Sequence, residues 1–263
     1  MGARASRRST VSSQPRLQAH PDDEALFAGG VLARNAAAGA RTAVVTATWT
    51  AGTGRAAELA DAVEILGAGA PRLLGYADAR VPSSAPGRPR FCEAPLDEAV
   101  GAVVAQIREF RPQVVITNDA YGGLTGHPDH IHAHRIAVLA VHAAGLGRLY
   151  PAAGDPWHPT ALHLATHPHS AAQALGGYLL RPGTAVDSAY SVPDEMVTAV
   201  DVSPWLEQKL AAIAAHRSEV NRGAAPGRIA ALAPEVRRRV MGTEWYIRHG
   251  LAPATGPEPL LMH

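Results

Sequence analysis

A single cysteine, Cys92, is all the thiol chemistry in 263 residues, which excludes an internal disulfide framework and a cysteine-built metal centre. That scarcity fits a reducing compartment, and the cytoplasm is the expected location. Neither sign of charge prevails: 24 Lys and Arg against 23 Asp and Glu leave a formal +1, too little field to gather phosphates or acidic headgroups. Neither nucleic acid nor a membrane is an expected partner. No apolar run reaches the length of a membrane span, and Ser9 to Gln18 offers no secretory core behind Arg7 and Arg8. Aromatic residues are few as well, at 5%, beside 25 Gly and 21 Pro. This has the look of GC-rich coding, which blunts every propensity argument.

What is present is a regular alternation of strand and helix. The pattern predicts a helix over Leu26 to Ala38, a buried β-branched strand over Arg41 to Thr48, and an amphipathic helix from Arg55 to Gly67. A strand over Pro71 to Tyr76, a helix over Leu96 to Phe110 and a strand over Val114 to Thr117 follow, with Pro112 stopping the helix. Such alternation implies an α/β, Rossmann-like, mostly parallel sheet flanked by helices, with ligands beyond the carboxyl ends of the strands. The region beyond is less regular, with helices expected over Pro204 to His216 and Pro234 to Met241. Residues 1–13 are expected to be a disordered basic start, 14–251 a single domain and 252–263 a loose tail; homo-oligomerisation is left open.

The chemistry lies in two histidine motifs. His20-Pro21-Asp22-Asp23-Glu24 alone reads as an acidic helix start. Gly126-His127-Pro128-Asp129-His130, continued by His132 and His134, repeats the His-Pro-Asp pattern after another strand, and packing does not account for so many histidines. A catalytic metal site needs three imidazole or carboxylate ligands and an open position. A His/Asp pair on one loop and a His on the other meet that count, leaving Asp22 and His127 beside the open position as acid and base groups. His158, His163, His167 and His169 fit no single face and read as loop or core residues. His216 is balanced between facing the site and not, Cys92 reads as a small buried hydrophobe, and Gly122-Gly123 as a loop softener.

The segments AHPDDEALFAGG and GHPDHIHAH resemble the two signature motifs of the LmbE/PIG-L zinc N-deacetylases, which remove acetyl groups from glucosamine conjugates. Similarity extends through RAAELADAVEILG, LLGYAD and LDEAVGAVVAQIREFRPQVVIT, and more weakly through KLAAIAAHRSEV and EWYIRHG, nearest to the actinobacterial mycothiol-pathway branch. The resemblance implies metal ligands at His20, Asp23 and His130, a general base at Asp22, an acid or oxyanion histidine at His127 and a carboxylate tuning it at Asp129. It also implies sugar contacts at Arg55 and Asp78, and one Zn2+ per chain, with Fe2+ open in the cell. Three departures stand out. The segment before His20, SSQPRLQA, is polar and contains Pro15; Ala51 to Gly54 lacks the family's glutamate; and Thr125 replaces an oxyanion-binding tyrosine, for which Tyr121 is a substitute candidate.

The expected partner is a small amino-sugar conjugate and the expected reaction its N-deacetylation. The nearest alternative is amidase cleavage of a larger acyl group, such as that of a mycothiol S-conjugate. A non-haem iron oxygenase would share the ligand set but leave Asp22 and His127 idle. A sugar-binding module would need neither.

Overall fold

The computed structural model describes residues 13–180, 183–185 and 189–251. The expected loose tail falls outside the described residues, as does the expected disordered start except for Ser13, which opens the first strand. Five parallel strands make the body of the sheet: β1 (Ser13–Gln18), β2 (Arg41–Thr48), β3 (Arg72–Tyr76), β4 (Val114–Asn118) and β5 (Ala161–Thr166). Two more, β6 (Thr198–Asp201) and β7 (Thr243–Gly250), complete one sheet in the order β3-β2-β1-β4-β5-β7-β6, with β7 antiparallel to both neighbours. The chain winds outward from β1 to β3 and then returns to place β4 on the other side of β1. That reversal opens a crevice beyond the carboxyl ends of β1 and β4.

Helices cover both faces. On one, Val100, Val103, Val104 and Ile107 of α3 (Leu96–Phe110) and Ile136, Ala137 and Ala140 of α4 (Pro128–Ala143) pack on Leu17, Val45, Val115 and Leu162. The three- and four-residue spacings put these side chains on one helical stripe. On the other, α1 (Asp23–Ala37), α2 (Gly54–Ile65) and α6 (Leu206–Ala215) bury Leu32, Leu59, Val63 and Ile213 against Val44. Because both faces are covered, β2 is buried from its second residue to its last, as its continuous RTAVVTAT run requires.

Local signals set several boundaries. Thr53 caps α2 by accepting the Ala56 N–H, and α3 ends at Arg111 in the left-handed conformation, ahead of Pro112. Helix α1 begins three residues earlier than the apolar pattern suggests, because Asp23 and Glu24 favour its positive end. Polar β1 takes its central place: Pro15 lies opposite Ala43, and pairing to β4 is confined to Arg16 opposite Ile116. The later region is more regular than its composition suggests. It contains β5, α5 (His169–Leu179), β6, α7 (Arg217–Asn221), α8 (Ala225–Ala230), α9 (Pro234–Met241) and β7.

Candidate active site

Both histidine motifs leave neighbouring strands. His20 follows β1, and His127 and His130 follow the loop after β4, so the crevice between these strands brings residues 110 positions apart into contact. Asp22 sits at φ 118°, a strained place for a residue with a side chain. Buried Glu24 braces that turn. One carboxylate oxygen accepts the Asp22 N–H (3.0 Å) and Gln18 Nε2 (2.8 Å), and the other meets His216 Nε2 at 2.6 Å. The polar character of β1 thus has a use: Gln18, held by Arg16 Nε at 3.2 Å, supports the loop from below.

Three donors converge at the bottom of the crevice. His20 Nδ1 lies 3.1 Å from His130 Nε2, Asp23 Oδ1 3.2 Å from the same Nε2, and Asp23 Oδ2 3.6 Å from His20 Nδ1. The other ring nitrogens decide what these atoms carry. His130 Nδ1 meets the Gly122 carbonyl at 3.2 Å and His20 Nε2 the Asp129 carboxylate at 3.0 Å, so each of those nitrogens is the N–H and the lone pairs point inward. Two lone pairs and a carboxylate oxygen facing one another repel unless a cation lies among them. His20 registers the same demand: although burial lowers its pKa, hydrogen bonds to the Asp129 and Asp23 carboxylates raise it to about 10. These residues can hold a metal ion.

Other donors are near, but they are engaged. His127 joins His20 and His130, and also His20, Asp78 and Asp129, in groups whose donor atoms lie within 4.8 Å of one another. Asp129, fully buried, takes the N–H groups of Ala79 and Cys92 (both 2.9 Å) as well as His20 Nε2. His127 Nδ1 accepts the Asp129 N–H at 3.2 Å, capping α4, which leaves its proton on Nε2. Burial, with His20 and His130 beside it, pushes His127 down to about 3, so the ring is neutral. Burial also lifts Asp22 to about 7, against the pull of Arg55. Asp23 goes the other way: His130 and His20 outweigh its burial and hold it well below the usual carboxylate range.

Several expectations change. The family resemblance gives Asp129 the task of tuning His127, yet its Oδ2 is 3.9 Å from His127 Nδ1 and 3.0 Å from His20 Nε2, so the carboxylate bonds His20. Arg55 lines the crevice but is already engaged: it pairs with Glu219 at 2.6 Å, bonds the Pro21 carbonyl and lies 3.5 Å from Asp22 Oδ2. Asp78 also lines it, 3.5 Å from His20 Nε2, its other oxygen accepting the N–H groups of Arg80 and Val81. Thr125 is at the exposed edge of the cavity. Tyr121 is absent from the lining; it is exposed and stacks on Tyr190. His216 is buried behind the loop, bonding Glu24 instead of facing the site. Cys92 is half-buried.

Gly122 does more than soften a loop. Its φ is 77°, and a Cβ there would meet the His127 carbonyl at 2.9 Å, so the chain can turn tightly enough to offer its own carbonyl to His130. His163 is in β5 against Tyr246, while His167 lines the cavity between Phe27 and Trp245. Sequence reasoning marks Glu24 only as a helix-start acid and misses Glu219, although the weakly similar segment KLAAIAAHRSEV contains it.

Fold and site define a doubly wound α/β protein whose crevice carries a His/Asp cluster able to hold a metal ion. Comparison with known proteins extends this. The family described as PIG-L: GlcNAc-PI de-N-acetylase matches residues 16–141. The 1D-myo-inositol 2-acetamido-2-deoxy-alpha-D-glucopyranoside deacetylase of Rhodococcus erythropolis is 38% identical, over 88% of each chain. Among solved structures, a conserved protein from Thermus thermophilus is 27% identical with a TM-score of 0.63, covering 95% of this chain and 96% of that one. The N,N'-diacetylchitobiose deacetylase from Pyrococcus horikoshii, at 18% identity, shares the fold with a TM-score of 0.63 over 91% of this chain and 84% of its own. The chain belongs to the PIG-L family, the LmbE-like deacetylases. No helix among the described residues is long and apolar enough to cross a membrane.

Proposed function

We propose that the chain is a metal-dependent N-deacetylase of N-acetylglucosamine-type conjugates, with one zinc ion per chain held by His20, Asp23 and His130. The observation that carries this reading is the inward convergence of two imidazole lone pairs and a carboxylate oxygen within 3.6 Å, beside a carboxyl that titrates near 7. The Rhodococcus relative's substrate, a 2-acetamido sugar on inositol, is the first candidate.

A divalent ion there supplies Lewis acidity, lowering the pKa of water from ~15.7 towards about 7 and polarising the acyl carbonyl. Asp22, poised near neutrality, takes the proton of the attacking water and returns it to the departing nitrogen. Neutral His127, its proton on Nε2, donates to the oxyanion, a contribution typically worth about 10² to 10³ in rate. Asp129 orients His20, the usual role of a carboxylate behind a ligating imidazole. Arg55 holds Asp22 and Glu219 in place, and it and Asp78 line the part of the cavity where the sugar hydroxyls would bind.

The test is metal analysis together with mass-spectrometric detection of acetate from a panel of N-acetylglucosaminides led by the inositol conjugate. Near-stoichiometric zinc, lost in His20→Ala and His130→Ala, with release of acetate and free amine, is expected. Metal retained in both variants, or no turnover by the zinc-loaded protein on any member, overturns the proposal.

A further inference from the structure

The cavity is much larger than an acetyl group on a sugar requires. It encloses about 800 Å³, near the top of the range of small-molecule sites, about 300–1,000 Å³. Its two ends differ. On the side of His20 and Asp22 the lining is polar: Arg55, Asp78, Arg80, Glu219 and Arg222. On the side of His130 it turns apolar. Phe27, one turn along α1 from Asp23, meets His130 edge-on at 6.0 Å; from there His167 (6.1 Å) and Trp245 (5.8 Å) continue a row of rings into a lobe. The walls of that lobe are Leu175 and Leu179 of α5, Ile229 of α8, and Val240 and Met241 of α9.

Three polar features border this lobe: the Lys209–Glu244 pair, His167, and Arg228, whose guanidinium is turned to the Gly223 (2.9 Å) and Leu179 (2.7 Å) carbonyls. Lys209 Nζ pairs with Glu244 at 2.8 Å, and the Glu244 carboxylate also accepts the Gly30 and Val31 N–H groups and the Tyr246 hydroxyl. That pair is buried and internally neutral. Burial lowers His167 to about 4, so its ring is an uncharged amphipathic wall. An amide in the crevice has a sugar side and an acyl side. With hydroxyl-binding groups at one end and hydrocarbon at the other, only one orientation matches both.

Resting on the amide-hydrolase reading above, we propose that the lobe walled by Leu175, Leu179, Ile229, Val240 and Trp245 is an acyl subsite, and that the enzyme hydrolyses N-acyl glucosaminides bearing straight-chain acyl groups longer than acetyl. The balance is that of deacetylation: the C–N bond breaks, the oxygen of water joins the acyl carbon, and a fatty acid and a free amine leave.

The test compares kcat/KM of the zinc-loaded enzyme for N-acetyl, N-butyryl and N-hexanoyl derivatives of one glucosaminide, in wild type and in Leu175→Trp and Ile229→Trp. Each buried methylene is worth about fourfold, so hexanoyl is expected to exceed acetyl by at least about tenfold, and the ratio to fall to about one or below in the tryptophan variants. Calorimetric binding of hexanoate and acetate supplies a readout independent of turnover. Hexanoate should bind at least about tenfold tighter than acetate to wild type, and that preference should vanish in the variants. A wild-type ratio of one or less, or a ratio the tryptophans leave unchanged, overturns the subsite. If no glucosaminide is hydrolysed at all, the deacetylase reading fails, and the hexanoate preference alone decides whether the lobe binds acyl chains.

Discussion

Replacing Asp22 by asparagine should make the metal-free protein more stable and the enzyme far slower. Burial raises the Asp22 carboxyl from 3.8 to about 7 in the fold. Between those values the folded chain holds a proton that the unfolded chain has lost, so stability falls as pH rises through that window, and the loss is complete above 7. At pH 8 the ionised carboxylate therefore costs the fold roughly 4 kcal/mol, and at pH 5 less than half as much. Asparagine has nearly the same shape, tolerates the positive φ of 118° and carries no charge. At about 2–4 °C per kcal/mol for a chain of this size, Asp22→Asn should raise Tm at pH 8 by roughly 8–16 °C, and at pH 5 by only a few degrees. The assay is thermal melting in chelator at both pH values, beside turnover and metal content of the zinc-loaded protein. Turnover should fall by about two orders of magnitude or more with metal content intact. An equal Tm gain at both pH values, or a Tm loss at pH 8, would refute the account of Asp22 as a carboxyl held near neutrality by burial.

The other predictions follow from single contacts. Asp129→Asn keeps the shape but weakens the hold on His20 Nε2, so zinc affinity measured by chelator competition should fall about 10- to 100-fold; unchanged affinity would return Asp129 to a role on His127. His127→Ala should lower kcat by about 10² to 10³ while zinc stoichiometry stays near one, and loss of the metal would make His127 a ligand. Lys209→Met leaves Glu244 buried beside an apolar side chain, so denaturant melts should show a loss of about 3–5 kcal/mol; a loss under about 1 kcal/mol would mean that its three other donors suffice for the carboxylate.

Some elements were legible because their causes are local. The β-branched run of β2 and the apolar stripe of α3 read directly as strand and helix, at the observed boundaries. Strands β5 and β7 were not: ALHLAT and TEWYIRHG set polar residues among apolar ones, and their place in the sheet comes from pairing with each other and with β4 and β6. The repeated His-Pro-Asp pattern points to His20, Asp22, Asp23, His127 and His130 as one chemical group, whereas a role for Asp129 comes only from the family resemblance.

The sequence by itself determined the inventory of the site and the α/β class, since residue type and periodicity are properties of short segments. Tertiary structure decided which atoms face which. The return of β4 to the flank of β1 joins the two motifs, and the partner of each second ring nitrogen, Gly122 for His130 and Asp129 for His20, sets where the lone pairs point. The same holds for Arg55, engaged by Glu219 from a distant segment, for His216 behind Glu24, and for the apolar lobe, whose walls come from α5, α8, α9 and β7. A motif carries its own donors, but the direction of a lone pair and the shape of a cavity depend on side chains supplied from elsewhere in the chain.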